Sequence, residues 1–191
     1  GTLFPYTTLF RSVVMHLMIA GRLQWREPGS KIPRKIGLAA FDFSNGSLIL
    51  TEAGSKRRAA LHLVRGAGAL KDMDPGGLEL DEITPGELAS RLRSENHTIK
   101  RALTDPRMVS GIGNAYSDEI LHKAHLSPFK KTGDMSIEEL EHLYDVCRDV
   151  LEGWSEKLRE ESGNDFPKKV TAFHPDMAVH GKYGEPCPEC G

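Results

Sequence analysis

The chain has 191 residues, 39% of them hydrophobic and 27% charged, with a formal net charge of −2. That length can bury a core and allows one or two domains, and the slight negative charge excludes a uniformly basic nucleic-acid binder. No window reaches the ~18 continuous apolar residues of a membrane helix, no stretch has the order of a secretory signal, and three cysteines are too few and too odd for a disulfide framework, so a reducing cytoplasm is expected.

The charge is unevenly distributed. Between His16 and Ala40, Arg22, Arg26, Lys31, Arg34 and Lys35 face one acid, Glu27. Lys56, Arg57, Arg58 and Arg65 follow. Asn96 to Gly133 carries Lys100, Arg101, Arg107, Lys123, Lys130 and Lys131 against Asp105, Asp118 and Glu119, and acids crowd Asp134 to Asp165. A chain so divided can turn one basic face toward phosphates; solvated surface charge is the plainer reading of any single cluster.

In chain order, residues 1–12 (GTLFPYTTLFRS) have no clear period and no evident partner strand, and are read as a foreign leader. Residues 13–83 read as part of an antiparallel β domain. Val13 to Ile19 is an apolar run ended by Ala20-Gly21. Leu38 to Phe43 and Leu48 to Thr51 flank Ser44-Asn45-Gly46-Ser47 as a hairpin, Asn-Gly being a strong hairpin signal. Leu61 to Val64 is a further strand. Gly66 to Pro85, rich in Gly, Pro and Asp, is a linker.

Residues 84–176 read as a helical domain. Thr84-Pro85-Gly86-Glu87 is a capping box with Pro at the first helical position, and Leu88, Leu92, Ile99, Ala102 and Leu103 follow at helical spacing. A helix is predicted over Ser117 to Ala124. Ser136-Ile137-Glu138-Glu139 is a second capping box, followed by Ile137, Leu140, Leu143, Val146, Cys147, Val150, Leu151 and Trp154 at three- and four-residue steps, a long amphipathic helix. Residues 177–191 open a zinc module. The whole is α+β.

Two constellations carry chemistry. In Ser110-Gly111-Ile112-Gly113-Asn114, the glycines allow positive φ and close approach of a ligand, and Asn114 caps the next helix or offers an amide to a phosphate. A plain corner between helices fits the same residues. Cys187-Pro188-Glu189-Cys190 is half of a four-ligand zinc knuckle, with a redox dithiol as its competitor. Cys147, on an apolar stripe, reads as core.

Four segments in this order resemble the formamidopyrimidine-DNA glycosylase / endonuclease VIII family of base-excision repair enzymes: His16-Leu17-Met18-Ile19-Ala20-Gly21-Arg22-Leu23, Ser55-Lys56-Arg57-Arg58, Ser110 to Leu121, and Val179 to Gly191. The resemblance spans residues 13–191. It implies a partial β-sandwich joined to a helix–two-turns–helix domain and a truncated zinc finger, bending duplex DNA and flipping out the damaged base. It further implies phosphate contacts from Asn114, Gly113, Lys100 and Arg58. Arg57 and Ile19 would fill the gap left by the extruded base, and Cys187 and Cys190 would be the first two zinc ligands. The expected partner is double-stranded DNA with damaged or abasic sites, bound by a monomer at the nucleoid and away from membranes; the expected cofactor is structural zinc.

The departures bear on catalysis. The family's nucleophile is an N-terminal proline followed by glutamate, whose secondary amine forms a Schiff base with the sugar and couples excision to AP-lyase cleavage. Here Gly1-Thr2 stand at the start, and Pro5 is internal. An early lysine has no counterpart, Ala59 replaces an aromatic wedge, His180 replaces a tyrosine, and the second cysteine pair with its arginine is absent. The expectation is an enzyme truncated at both ends, inactive as given, with no catalytic residue of its own. A non-catalytic binder of abasic or kinked DNA and an RNA-binding helical module are the rivals.

Overall fold

The computed structural model describes residues 11–167 and 171–191. They divide into two compact units, residues 11–74 with 164–167 and residues 75–163 with 171–191. The α+β expectation holds: strands fill the first unit and the long helices the second.

The first unit contains strands β1 (Arg11–His16), β2 (Gly21–Arg26), β3 (Gly37–Phe43), β4 (Gly46–Glu52) and β5 (Ala60–Arg65), then a short helix α1 (Ala67–Lys71). β1 pairs antiparallel with β5, and β4 lies between β2 and β3 in a second antiparallel sheet. Ile49 and Leu50 on the central strand β4 are the buried apolar anchors. Two expectations change. Arg11 and Ser12, placed in the partnerless leader, lie in β1 opposite Arg65 and Val64; residues 1–10 lie outside the described residues. The apolar run to Ile19 stops being a strand at His16, because Leu17–Ala20 turn, with Met18 at φ 52° and the Gly21 N–H donating to the Leu17 carbonyl at 2.8 Å.

The β3–β4 hairpin is present, yet Asn-Gly works differently from a turn pair with positive φ. Phe43 pairs with Gly46, so Ser44 and Asn45 are the loop and Gly46 opens β4. A Cβ at Gly46 would meet the Trp25 ring at 2.2 Å. The glycine makes room for an aromatic side chain lying across it, and Trp25 in turn packs on Phe43 with ring centroids 5.8 Å apart.

The second unit is built from α2 (Pro85–Arg93), α3 (Ile99–Thr104), α4 (Asn114–Lys123), a 3-10 turn at Thr132–Asp134, and the 26-residue α5 (Ile137–Ser162). Both expected capping boxes form: the Thr84 and Ser136 hydroxyls each accept from the backbone N–H of a glutamate three residues on, and that glutamate's carboxylate accepts from the cap residue's own backbone N–H. Leu88, Leu92, Ile99, Ala102, Leu103, Leu140, Leu143 and Cys147 make a dry core, and burial pushes the Cys147 thiol up to about 12. Ile137, assigned to the stripe of α5, is instead 56% exposed, since the first helical residue points away from the core that begins one turn later. The second half of the expected linker belongs to this unit. The Leu78 N–H donates to the Met108 carbonyl, its own carbonyl accepts from Ser110, and Leu80 enters the helical core. Among the described residues no helix is long and apolar enough to cross a membrane.

Candidate nucleic-acid interface

The corner between α3 and α4 is seated from below and open above. Met108, Val109 and Ile112 are buried, while Gly111, Gly113 and Asn114 are exposed. Only Gly111 uses the left-handed region, at φ 80°. Gly113 is extended, at φ −104° and ψ −174°, and is itself the N-cap of α4 with no side-chain cap bond. Asn114 is therefore the first helical residue and not the cap, which corrects the capping role considered for it. Its side chain is left for an external partner, beside a helix N-terminus whose first N–H groups have no acceptor within the helix.

Lys100, in the first turn of α3, donates from Nζ to Asp118 Oδ1 at 2.6 Å. Asp118 Oδ2 stands 2.8 Å from His180 Nδ1, and the His180 ring stacks on Phe173 with centroids 5.3 Å apart. Burial works against ionising Asp118, but the hydrogen bonds from Lys100 and His180 outweigh it and hold the carboxyl below the usual carboxylate range. Lys100 is thus a half-exposed cation one helix away from Asn114, aimed by a carboxylate on α4.

One residue later, Glu119 is buried and accepts three backbone N–H bonds, from Ala178 at 2.6 Å and from Val179 and His180 at 2.9 Å. A carboxylate bonded in this way satisfies its burial and fixes the segment carrying His180 to α4. Sequence reading missed it. The available signal was an acid between Ser117 and Ile120, on the side of α4 that is otherwise buried.

The first unit uses the same device. Glu52 is 2% exposed, and its carboxylate accepts from the Arg58 N–H at 2.9 and 3.0 Å and from the Ala59 N–H at 3.1 Å. The loop bearing Arg57 and Arg58 is therefore pinned while both side chains stay exposed. Arg57 also donates to the Lys35 carbonyl. Glu52 pairs with Gly21 across β4 and β2, so the turn presenting Ile19, 88% exposed, lies at the same end of the sheet. Arg22 steadies that turn by donating to the Ile19 carbonyl at 2.9 Å. The structure thus brings Ile19, Arg57 and Arg58 to one end of the first unit, and Gly113, Asn114 and Lys100 to one side of the second.

Cys187 and Cys190 sit on a tight turn in which the Gly191 N–H donates to the Cys187 carbonyl at 3.0 Å. Backbone N–H groups of Glu189 and Cys190, with His122 and the Cys190 thiol, hold the Cys187 thiol down to about 6. Two cysteine thiols on one tight turn have the chemistry of half of a zinc knuckle, while among the described residues no group of three converging ligand atoms includes them. Elsewhere Glu161, His174 and Asp176 converge, but Lys157 pairs with Asp176, whose N–H also donates to His174 Nδ1 at 3.1 Å.

Residues 74–160 match the model of the formamidopyrimidine-DNA glycosylase H2TH domain. The formamidopyrimidine-DNA glycosylase of Desulfitobacterium hafniense is 31% identical over 192 residues, covering 94% of this chain and 67% of that protein. The chain belongs to the formamidopyrimidine-DNA glycosylase / endonuclease VIII family. As a family member it also shares its fold with a Lactococcus lactis Fpg solved with abasic-site DNA, at a TM-score of 0.77 and 22% identity over 95% of this chain and 68% of that one. MutM in complex with DNA containing carbocyclic 8-oxo-G is similar at a TM-score of 0.76 and 22% identity, over 95% of this chain and 67% of that one. The chain thus spans about two thirds of the family members it matches, and the Asn114 corner falls inside the matched H2TH domain.

Proposed function

We propose that the chain grips duplex DNA bearing damaged or abasic sites, as the binding portion of a repair glycosylase that excises oxidised bases and cleaves the strand as an AP lyase. The observation that carries this reading is the exposed Gly111–Asn114 corner at the α4 N-terminus, with the Lys100 cation held beside it. A helix N-terminus, a free amide and a cation are what a phosphate needs. Arg58 adds a second phosphate contact from the first unit, and Ile19 and Arg57 are the exposed groups able to replace stacking where a base has left. The solved relatives bound to abasic and 8-oxo-G DNA support the partner assigned. Such a protein acts at the nucleoid, as a monomer on one lesion.

Cys187 and Cys190 are proposed to hold zinc, which when bound fixes the C-terminal turn without entering the chemistry. The lyase step of the family needs an N-terminal secondary amine.

The test is fluorescence anisotropy at fixed salt with an abasic-analogue duplex, an 8-oxoguanine duplex and an intact duplex, alongside borohydride trapping. Tighter binding to the two lesion duplexes supports the reading. Equal affinity for all three, or a preference for structured RNA, overturns it. A trapped adduct adds the lyase step to the binding.

A further inference from the structure

We infer that His180 is a positioning residue of the phosphate grip: its proton uptake decides whether Asp118 neutralises Lys100 alone or is shared between two cations, so that duplex binding strengthens as pH falls. The inference rests on the reading that Lys100 meets a phosphate.

Asp118 uses one oxygen for each neighbour, Oδ1 for Lys100 Nζ at 2.6 Å and Oδ2 for His180 Nδ1 at 2.8 Å. An ionised carboxylate only accepts, so the His180 nitrogen facing it carries the hydrogen. With a neutral imidazole, the ammonium and the carboxylate cancel and the three side chains have no net charge. A phosphate arriving at Lys100 then meets a cation already matched. When His180 Nε2 takes a proton from solvent, the same three side chains carry a net positive charge and the carboxylate is divided between two cations. Histidine is the side chain whose ordinary charge change lies between about pH 5 and 8. Asp118 stays ionised across that range: burial opposes its charge, but the bonds from Lys100 and His180 hold it low.

The surroundings fix the ring beside Asp118. Glu119 accepts the His180 N–H at 2.9 Å, tying its backbone to α4, and the ring stacks on Phe173 with an interplanar angle of 21°. The acids facing His180 are Asp118 and Glu119 of α4, and Glu119 spends its charge on three backbone N–H groups. Lys100 reaches it from α3 through Asp118. His122 of α4, with Lys182 and Tyr183 of its own segment, lines the cavity beside it. His174 and Asp176, next to Phe173, turn instead to Glu161 and Lys157 of α5. Among the described residues, Asp118 is thus the charged side chain that the His180 ring contacts, and Asp118 passes the ring's charge state on to Lys100.

The experiment is duplex-binding anisotropy of the full 191-residue chain with the abasic-analogue duplex, over a salt series at about pH 5.5 and at about pH 8. The wild-type chain should bind about fivefold tighter at the lower pH, with a salt dependence steeper by about one counterion. His180→Asn, which keeps a donor for Asp118 but takes no charge, should lose both differences. An equal response to pH in His180→Asn and wild type overturns the inference and leaves the grip as proposed. Absence of duplex binding at either pH overturns both. Should His180→Asn disturb folding, the wild-type ring decides independently. Its titration, followed by NMR, should move to higher pH when the duplex is added, because a phosphate that prefers the protonated ring must in turn favour protonation. An unmoved titration overturns the role of His180.

Discussion

Lys100 Nζ stands 2.6 Å from Asp118 Oδ1, a pairing that aims the cation and also occupies it. A duplex phosphate must compete with that carboxylate. Lys100→Ala should therefore weaken duplex binding and flatten its salt dependence by about one counterion. Asp118→Asn should do the reverse, raising affinity at low salt about threefold, or ~0.6 kcal/mol, by freeing the ammonium. Anisotropy titrations over a salt series measure both. An unaltered slope in Lys100→Ala would remove Lys100 from the interface.

Asn114 separates binding from stability. Because Gly113 is the N-cap and no side-chain cap bond exists, truncating Asn114 leaves the helix start intact. Asn114→Ala should cost about 1 kcal/mol in duplex binding, roughly fivefold in Kd, while the thermal midpoint stays within experimental error. A large drop in the midpoint would show that the amide holds the fold, and an unchanged Kd would take it out of the grip.

The two buried glutamates make a matched pair of tests. Glu119 accepts from Ala178, Val179 and His180, and Glu52 accepts from Arg58 and Ala59. Neutralising either to Gln removes charge-assisted bonds worth ~1.5–3 kcal/mol each way. Glu119→Gln should lower the unfolding free energy measured in urea by about 2 kcal/mol. Glu52→Gln should loosen the Arg57–Arg58 loop, so amide exchange at Arg58 and Ala59 speeds up more than at the β4 core. Equal exchange rates in Glu52→Gln and wild type would show that the loop is held by something else.

Much of this was legible in the residues. The two capping boxes, the apolar steps from Leu88 to Leu103, and the stripe of α5 are local signals, and each became the element its pattern requires. The corner at Gly111–Asn114 was visible as a helix break, but the assignment of the cap needed backbone angles that sequence does not carry. The Asn45-Gly46 pair marked the hairpin for a partly mistaken reason, because the glycine answers to Trp25 across the sheet. Glu52 and Glu119 were not found, since their partners lie on other elements and nothing in a buried acid's own neighbourhood names the distant N–H groups that it meets.

Asp105 gives the pH dependence. It ends α3 just ahead of the corner, and Arg107, through its side chain and then its backbone N–H, holds the Asp105 carboxyl down to about 2. An unfolded aspartate titrates near ~3.9. A carboxyl depressed in the folded state stabilises at pH above the unfolded value, and that contribution is lost as pH falls toward the folded one. The window is therefore between about 4 and about 2. Because Arg107 faces solvent while Asp105 is largely covered, screening limits the contribution to about 1 kcal/mol or less. Urea unfolding of wild type and Asp105→Asn should differ by that amount at pH 6 and converge by about pH 2, the variant showing the shallower acid slope. Parallel pH profiles for the two proteins would mean that Arg107 does not stabilise the charged carboxylate, and that the end of α3 is set by its backbone alone.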